Sequence, residues 1–386
     1  MVKEKWISTH IKDIATIYGR IGFRGYTKQD IVKPGFGAIS LSPSNIKDGK
    51  VTYAPATYIS WEKYEESPEI KLSDGDVVLV KTGSTFGKTA YIDRLPWPTT
   101  LNPQIVVFKK LKIHAKLFAY FMASKNIQEQ ISSVIVGGAI PTLSQEQVYA
   151  FDIVYPPDAK EQAAIAEALS DVDNLISSLQ KLIKKKKAIK QGAMQELLTG
   201  KKRLPGFYRE WRIVQIGETL SIGHGQSQKT VENRFGKYPI LATGGCIGYA
   251  NDFLWDKPSV LIGRKGTIDK PQYADYPFWT IDTLFYTKIF DGYDAKFIYY
   301  KFCMIDWQQY NEASGVPSLN ATTIENLQII VPEKDEQQAI AQLLSDIDSE
   351  IEQLEKKLVK YQQIKQGMMQ ELLTGRIRLK EGEKNA

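Results

Sequence analysis

The chain has 386 residues, of which 43% are apolar and 11% aromatic, and its net charge is +6. This composition excludes a disordered chain, and the length suits two medium-sized domains with spacers. No apolar run approaches the ~20 residues that cross a membrane, and residues 1–20 lack the apolar region of a signal peptide. Cys246 and Cys303 suggest neither a disulfide framework nor a metal site. We therefore predict a cytoplasmic protein with a weak preference for anionic partners.

The first variable segment reads as a mixture of strands and helix. Short β-branched runs with nearby turn residues predict buried strands at 76–80 and 104–108, and a last strand is predicted at 152–155. A helix is predicted over 115–132, because Phe118, Phe121 and Ile127 share one stripe. The glycines of 137–141 are expected to end it.

A stretch of 44 residues occurs twice. Residues 161–204 and 336–379 are identical at 26 of 44 positions, with a shift of 175 and no gap. In each copy six apolar residues are spaced 4-3-4-3-4, which is typical of a coiled-coil seam. The seam residues are Ile165, Leu169, Val172, Ile176, Leu179, Ile183, Ile340, Leu344, Ile347, Ile351, Leu354 and Leu358. Asp158 is predicted to cap the first helix, which Thr199 and Gly200 end, so its length is about 60 Å.

The second variable segment echoes the first. The matched stretches are 211–216 with 6–11, 259–262 with 76–80, 315–319 with 139–143, and 327–332 with 151–156. These matches predict two diverged copies of one domain. The predicted boundaries are 1–157 for the first domain, 158–203 for the central helix, 204–332 for the second domain, 333–380 for the distal helix and 381–386 for the tail.

The predicted fold class is α/β (α+β), with two similar globular domains separated by two long helices. Each helix is too long to bury its seam against its own domain alone, so pairing of the two helices is the simplest solution. If a pseudo-two-fold axis relates the halves, the helices run antiparallel.

The loop Gly83–Thr89 resembles a phosphate-binding loop but departs from it. That motif has four residues between its glycine and the Gly-Lys pair, and here there are three. A strand precedes the loop, but no clear helix follows. Nucleotide binding is therefore a poor interpretation, since the loop length sets the cradle of backbone N–H groups.

DNA contact is the better interpretation of this loop and of its counterpart in the second domain. Both loops follow an apolar strand and combine hydrogen-bond donors with glycines that allow close approach. The candidate residues are Lys81, Thr82, Ser84, Thr85, Lys88, Arg264, Lys265, Thr267 and Lys270. A solvated surface turn is the alternative.

The turns that follow the first short helix of each domain are a second candidate. Arginine pairs with guanine and glutamine with adenine in the major groove. The candidate residues are Arg20, Arg24 and Lys28 in the first domain, and Gln226 and Lys229 in the second. A separate run, Lys184–Lys187, is interpreted as a solvated helix face.

Several sequence motifs together resemble those of the specificity subunit of type I restriction–modification systems. These motifs are IPTLS, FDIVYPP and EQAAIAEALSDVD in the first half, PSLN, LQIIVPE and EQQAIAQLLSDID in the second, and the paired QELLTG endings. In the second segment, YPILATGGCIGYAN and LIGRKGTIDKPQY look like parts of a target-recognition domain. The resemblance covers nearly the whole chain.

This resemblance implies a DNA-binding subunit without catalytic activity. Each domain would read one half of a bipartite, asymmetric site in double-stranded DNA. The helices would set the spacing and dock two methyltransferase subunits, which use S-adenosylmethionine to methylate adenine. Restriction subunits, with ATP and Mg²⁺, would add cleavage. No membrane partner is implied.

Two alternatives remain open. A self-contained methyltransferase or nuclease would need a cofactor loop, and none is evident. Asn102–Ile105 lacks the second proline and the aromatic residue of an adenine-methyltransferase motif. The three histidines are scattered and suggest no zinc site. The second alternative is a coiled-coil adaptor that does not bind DNA.

Overall fold

The computed structural model describes residues 6–20, 25–134 and 141–379. Contacts between residues divide the chain into two compact units. The first unit comprises Met1–Ser178 and Leu358–Ala386, and the second comprises Leu179–Lys357. Each unit therefore contains one variable segment, the beginning of the long helix that follows it and the end of the other long helix. The domain boundaries predicted from the sequence separate the long helices from the variable segments. The division by contacts does not test those boundaries, so they stay a prediction.

The first unit contains twelve described strands, β1–β12. They are β1 Ile7–His10, β2 Thr16–Gly19, β3 Ile31–Val32, β4 Gly37–Leu41, β5 Ile46–Lys47, β6 Lys50–Val51, β7 Thr57–Ser60, β8 Val77–Val80, β9 Thr89–Tyr91, β10 Thr99–Leu101, β11 Ile105–Lys109 and β12 Asp152–Tyr155. Its short helices are α1 Ile11–Ile14, α2 Trp61–Glu65, α3 Ala115–Met122, α4 Lys125–Ser133 and α5 Gln145–Tyr149, and the long helix α6 spans Ala159–Leu197. The three predicted strands are confirmed.

The second unit repeats much of this order. Its strands are β13 Arg212–Gln215, β14 Leu220–Gly223, β15 Tyr238–Ala242, β16 Gly245–Ala250, β17 Ser259–Gly263, β18 Gln272–Ala274, β19 Trp279–Thr280, β20 Leu284–Ile289 and β21 Gln328–Val331. Its helices are α7 Ala295–Met304, α8 Ala321–Asn326 and the long helix α9, Lys334–Leu372. The mixed helix and strand content confirms the predicted fold class.

The sheets of the two units correspond. The central sheets have the orders β2-β11-β8-β9 and β14-β20-β17-β18, all antiparallel. A second sheet stands beside each, β10-β4-β7-β3 in one and β16-β15-β19 in the other. The two-stranded ribbons β1-β12 and β13-β21 also correspond, and their strands lie within the matched stretches 6–11 with 211–216 and 151–156 with 327–332.

Each central sheet is buried on both faces, which explains its unbroken apolar strands. In β8, Val77 and Leu79 belong to a core shared with α3, α4 and α6, whereas Val78 and Val80 belong to a second core on the other face. This alternation follows the two-residue period of a strand. Burial of each such side chain contributes roughly 1.5–3 kcal/mol.

The single helix predicted over 115–132 is wrong in one respect, because it is two helices. α3 ends at Met122, and Ser124 is extended, with φ −71° and ψ 156°. The side-chain amide of Gln128 donates to the Met122 carbonyl at 2.8 Å and stabilises the break. The predicted apolar stripe is nevertheless buried. The predicted ending at 137–141 lies largely outside the described residues.

The first long helix has the predicted ends. Asp158 accepts a hydrogen bond from the backbone of Lys160 at 3.0 Å, and Gly200 adopts φ +71° after α6. Its counterpart Gly375 adopts φ +68° after α9. In both caps a glycine adopts the left-handed conformation, which is favoured at the C-terminus of a helix.

α6 and α9 pack antiparallel within each unit. In the second unit Lys186 pairs with Glu350 at 2.7 Å and Arg203 pairs with Glu336 at 2.6 Å. A later residue on the α6 side therefore contacts an earlier residue of α9, which is the arrangement of antiparallel helices. In the first unit Lys365 pairs with Asp173 at 2.6 Å. The predicted pairing of the helices is therefore confirmed within each unit.

The seam is divided between two environments. Its first residues, Ile165 and Leu169 in α6 and Ile340 and Leu344 in α9, are fully buried in the main domain cores. The later residues are buried or half-buried along the helices. These are Val172, Ile176, Leu179, Ile183, Ile347, Ile351, Leu354 and Leu358. The first residues of each seam thus anchor a domain to the long helix that follows it.

Candidate nucleic-acid interface

Two predicted loops of the first domain leave the central sheet at the same edge. β2 and β8 both run antiparallel to β11, so they point in the same direction. Gly19 and Leu79 lie on either side of Val106 in the register. The segment that begins at Arg20 and the loop 81–88 therefore emerge side by side.

The second domain builds the same edge. β14 and β17 flank β20, with Gly223 and Leu261 on either side of Tyr286. The segment that begins at His224 and the loop 264–271 emerge together. In each domain the strand register thus places the start of the turn segment and the loop after the neighbouring strand at the same edge of the central sheet.

The loop 81–88 is a hairpin connection between β8 and β9. Its end is closed by a hydrogen bond from the Gly87 backbone to the Val80 carbonyl at 2.9 Å. Gly83 and Gly87 have φ values of +104° and +81°, which glycine tolerates best. An antiparallel strand follows this loop, and a phosphate-binding loop requires a helix there.

The two domains hold these loops by the same backbone hydrogen bonds. Leu143 donates to the Lys81 carbonyl at 2.8 Å, and Leu319 donates to the Arg264 carbonyl at 2.9 Å. The amides of Lys81 and Arg264 in turn donate to a strand end, the carbonyls of Gln104 and Thr283, both at 2.8 Å. Lys81 and Arg264 are therefore structurally equivalent.

The echoed proline stretches explain this equivalence. Gly83 donates to the Pro141 carbonyl at 3.4 Å, and Gly266 donates to the Pro317 carbonyl at 2.8 Å. Each stretch therefore supports the loop from one side. The main-chain hydrogen bonds of the loop are therefore the same in both domains, whereas the side chains on the loop differ.

Most of the predicted loop residues reach solvent. Ser84, Lys88, Lys265 and Lys270 are exposed. Lys81, Thr82, Thr85, Arg264 and Thr267 are half-buried. The contact of these residues with DNA stays a prediction.

Arg20 has a structural position. Its side chain is buried, with 4% exposed, and donates to the Leu101 carbonyl at 3.0 Å and to the Thr100 hydroxyl at 3.2 Å. Burial also lowers the pKa of its guanidinium. The hydrogen bonds tie the turn to the neighbouring sheet, so Arg20 is not presented to a ligand, contrary to its selection as a DNA contact.

The remaining turn residues are better placed. Lys28, Gln226 and Lys229 are exposed, whereas Arg24 lies outside the described residues. The main chain of Gln226 is held on both sides, by donation to the Thr280 carbonyl at 2.8 Å and acceptance from the Trp279 indole at 3.0 Å. The exposed side chain of Gln226 therefore extends from a main chain that is held in place.

Thr243 is not among the residues that the sequence motifs selected. It lies in the turn between β15 and β16, and its methyl group would be 3.1 Å from a Cβ on Gly263. Gln272 donates to the main chain of the same turn, 3.0 Å from the Ala242 carbonyl. A third loop therefore joins the edge in the second domain. Only the pairing of two sheets reveals this, and the motif GG at 244–245 was the available signal.

The lysine run on α6 is only partly solvated. Lys186 and Lys187 form ion pairs with Glu350 and Glu355 of α9, at 2.7 and 2.6 Å. Lys184 and Lys185 are exposed. The interpretation of the run as a solvated face therefore agrees with the exposure of Lys184, Lys185 and Lys187, whereas Lys186 is half-buried beside α9.

Each domain is fastened to its long helix by the same polar contacts. Tyr120 donates to Asp173 at 2.7 Å, and Tyr300 donates to Asp348 at 2.8 Å. Burial, and then the hydrogen bond to the carboxylate, raises the pKa of both phenols. The phenols therefore stay protonated and keep donating, which orients each sheet edge relative to its own helix.

Within 6–20, 25–134 and 141–379, no group of three or more His, Cys, Asp or Glu side chains is placed to hold a metal ion. No helix in the same ranges is long and apolar enough to span a membrane.

The fold is that of solved type I specificity subunits. The crystal structure of the type I restriction-modification system S subunit from M. genitalium aligns over 96% of this chain and 97% of its own, with a TM-score of 0.69 and 16% identity. A chain from a structure of type I R-M complex assembly and conformational transition aligns over 98% and 100%, with a TM-score of 0.53 and 15% identity.

The sequence places the chain in a family. Residues 3–191 and 208–365 match the type I restriction modification DNA specificity domain, so the chain belongs to that family. It is a specificity subunit of a type I restriction–modification system with two target-recognition domains. The resemblance drawn from the repeated motifs is thus confirmed.

Several curated relatives share this assignment. The putative type I restriction enzyme MjaX specificity subunit of Methanocaldococcus jannaschii is 26% identical, over 98% of this chain and 95% of the relative. The MjaVIII specificity subunit of the same organism is also 26% identical, over 81% of each chain. The EcoDI specificity subunit of Escherichia coli is 20% identical over 43% of this chain and 37% of its own.

Proposed function

We propose that each sheet edge reads one half of a bipartite, asymmetric sequence in double-stranded DNA. The observation that carries this proposal is the equivalence of Lys81 and Arg264, each held by two matching backbone hydrogen bonds. The equivalent loop positions carry Lys-Thr-Gly-Ser in the first domain and Arg-Lys-Gly-Thr in the second. Side chains that differ between the domains but occupy equivalent positions suit recognition of two different half-sites.

The exposed side chains suit the chemistry of DNA. Lysines 88, 265 and 270 favour phosphates, whose contacts fix position. Arg264 and Gln226 have the shapes that recognise guanine and adenine. The glycines permit close approach of the backbone. Such binding weakens steeply with salt because counterions are released from DNA.

The chain acts as a non-catalytic, cytoplasmic subunit in this proposal. Its helices set the spacing between half-sites and dock two methyltransferase subunits. Those subunits bind S-adenosylmethionine and methylate adenine, and restriction subunits with ATP and Mg²⁺ add cleavage. Membership of the specificity family and the 26 identical positions of the 44-residue repeat support this division of labour.

Reconstitution tests the proposal. The full chain is co-purified with the methyltransferase subunit of the same system, and methylated adenines are mapped in a random DNA library. We expect one bipartite motif with a constant spacer. Methylation by the chain alone, or a complex without sequence preference, contradicts the proposal.

The spacing role has its own test. One heptad is inserted at equivalent positions of α6 and α9, so that the seam stays continuous. Both half-site sequences should be retained while the preferred spacer changes. An unchanged spacer would show that the helices do not set it.

A further inference from the structure

One short helix of each domain begins with the same three residues. α3 begins Ala-Lys-Leu-Phe-Ala-Tyr and α7 begins Ala-Lys-Phe-Ile-Tyr-Tyr, so the alanine, the lysine and the final tyrosine are identical while the three residues between them differ. A lysine and a tyrosine four residues apart lie on one side of a helix. This match indicates a contact that is also the same in both units.

In the first unit the contact is a carboxylate shared by three elements. Tyr120 of α3 donates to Asp173 of α6 at 2.7 Å. Lys365 of α9 binds the same side chain at 2.6 Å, and its ammonium lies 5.8 Å from the centre of the Tyr120 ring. Asp173 therefore joins the domain to both long helices at one point.

The second unit makes the same contact with the two long helices exchanged. Tyr300 of α7 donates to Asp348 of α9 at 2.8 Å. Lys190 of α6 binds that carboxylate at 2.5 Å and lies 5.4 Å from the centre of the Tyr300 ring. Both the aspartate and the lysine are identical positions of the 44-residue repeat, 175 residues from their counterparts in the first unit.

The lysine of α3 connects α6 to the candidate reading loop of the first domain. Lys116 donates to the Ser170 hydroxyl at 3.3 Å, and its ammonium lies 5.3 Å from the centre of the Tyr91 ring. Tyr91 ends β9, the strand that begins directly after the loop 81–88. Lys116 therefore lies between a long helix and the strand that leaves this loop.

Lys296 makes the same connection in the second unit. It donates to the Ser345 hydroxyl at 2.9 Å and lies 5.1 Å from the centre of the Tyr273 ring, which belongs to the strand after the loop 264–271. We call the five polar residues of each unit the polar clamp. They are Lys116, Tyr120, Ser170, Asp173 and Lys365 in the first unit, and Lys296, Tyr300, Ser345, Asp348 and Lys190 in the second.

A second attachment point restricts rotation about the polar clamp. The His114 amide, at the start of α3, donates to the Gln162 side chain at 2.8 Å, and the Asp294 amide, at the start of α7, donates to the Gln337 side chain at 2.9 Å. Buried apolar surface holds two elements together without fixing their direction, whereas hydrogen bonds require a defined geometry. The polar contacts therefore fix the orientation of each domain on its helices.

We propose that the polar clamp positions DNA recognition, because it holds each candidate reading loop at one distance and orientation relative to both long helices. The preferred spacer then depends on the clamp as well as on helix length, since a domain that pivots on its helices can meet more than one spacing. The clamp residues touch no base and act as positioning residues. The inference rests on the proposed function, which supplies the two half-sites.

The test removes one hydroxyl from each clamp, as Tyr120→Phe, Tyr300→Phe and the double variant of the full chain, co-purified with the methyltransferase subunit. Methylation rates are measured on duplexes that carry both mapped half-sites with the natural spacer, or with one base pair more or fewer. The preference of the double variant for the natural spacer should fall about tenfold, since a hydrogen bond to a charged group is worth roughly this factor. Each single variant should lose part of the preference, and the bases recognised in each half-site should stay the same.

Two controls separate positioning from stability. Tyr208→Phe, at a tyrosine that is 87% exposed, should keep the full spacer preference. Lys365→Met should weaken the preference as Tyr120→Phe does, whereas Lys365→Arg, which keeps the charge opposite the carboxylate, should retain most of it. Each isolated single variant should unfold within about 2–4 °C of the natural chain, so that methylation is measured on folded protein.

Two outcomes overturn the inference. The double variant unfolds at a lower temperature but keeps the natural spacer preference, which would make the clamp a contact for stability alone, or it changes the bases recognised in a half-site. The proposed function fails in a different way. In that case the natural complex itself recognises no bipartite sequence.

Discussion

Lys301 donates a hydrogen bond of 3.0 Å to the main-chain oxygen of Leu198, at the carboxyl end of α6. The side chain belongs to α7 and is only 9% exposed. A cation suits the negative end of a helix, but burial disfavours its charge. Burial lowers the pKa of Lys301 to about 8.

This lowered pKa predicts a pH dependence of stability. Between pH 8 and the ordinary lysine pKa, the unfolded chain binds a proton that the folded chain has released, so folding becomes more favourable as pH rises. From pH 8 to 10 the natural chain should gain about 2 kcal/mol relative to Lys301→Met. Urea denaturation at both values measures this. Lys229→Met, at an exposed lysine, should show no such change.

The ion pair of Glu336 with Arg203 should stabilise the second unit. Two nitrogens of Arg203 donate to the carboxylate at 2.6 Å, and the Glu336 side chain is 3% exposed. Glu336→Gln should lower the free energy of unfolding by about 2–3 kcal/mol, less than for a fully buried pair because Arg203 is partly exposed. Glu161→Gln should do the same in the first unit.

Glu352→Gln is the control for this prediction, because the Glu352–Lys356 pair is largely exposed. It should change stability by less than about 0.5 kcal/mol in urea denaturation. Equal losses in the buried and exposed variants would contradict the structural role of the Arg203 pair.

Gly225 should be intolerant of a side chain. A Cβ there would be 1.9 Å from the Ile281 carbonyl oxygen, so the main chain beside Gln226 would have to move. We expect Gly225→Ala to destabilise the domain by about 1–3 kcal/mol in thermal unfolding and to weaken recognition of one half-site. Gly244→Ala should be tolerated, since no other atom would lie within 4 Å.

The double variant Arg264→Ala/Lys265→Ala should impair one half-site only. Loss of one base contact costs about 1–3 kcal/mol, and loss of a phosphate contact reduces the salt dependence. Competition binding with DNA altered in either half-site measures this. Lys81→Ala should affect the opposite half-site. Equal losses at both halves would refute separate reading by the two domains.

The sequence alone determined the elements whose signals are local and repeated. A short β-branched run with nearby turn residues identified the strand at Val77–Val80, and the 4-3-4-3-4 spacing identified both long helices. The cap at Asp158 and the glycine ends at Gly200 and Gly375 also follow from local chemistry. The repeat itself led to the family because both copies carry the same motifs.

Some boundaries depended on contacts that leave no local signal. The break between α3 and α4 contains neither glycine nor proline and depends on the Gln128 side chain reaching Met122. The burial of Arg20 depends on Thr100 and Leu101, about eighty residues away. A basic residue in a glycine-rich turn therefore looks the same in the sequence whether it is buried or presented.

Only the tertiary structure decided how the candidate site is assembled. The register of β2, β8 and β11, and of β14, β17 and β20, places separate loops at one edge. The same structure revealed Thr243, and it placed the first residues of each seam in a domain core. Residue order specifies which side chains are available, whereas the pairing of distant strands and helices determines which of them remain exposed together.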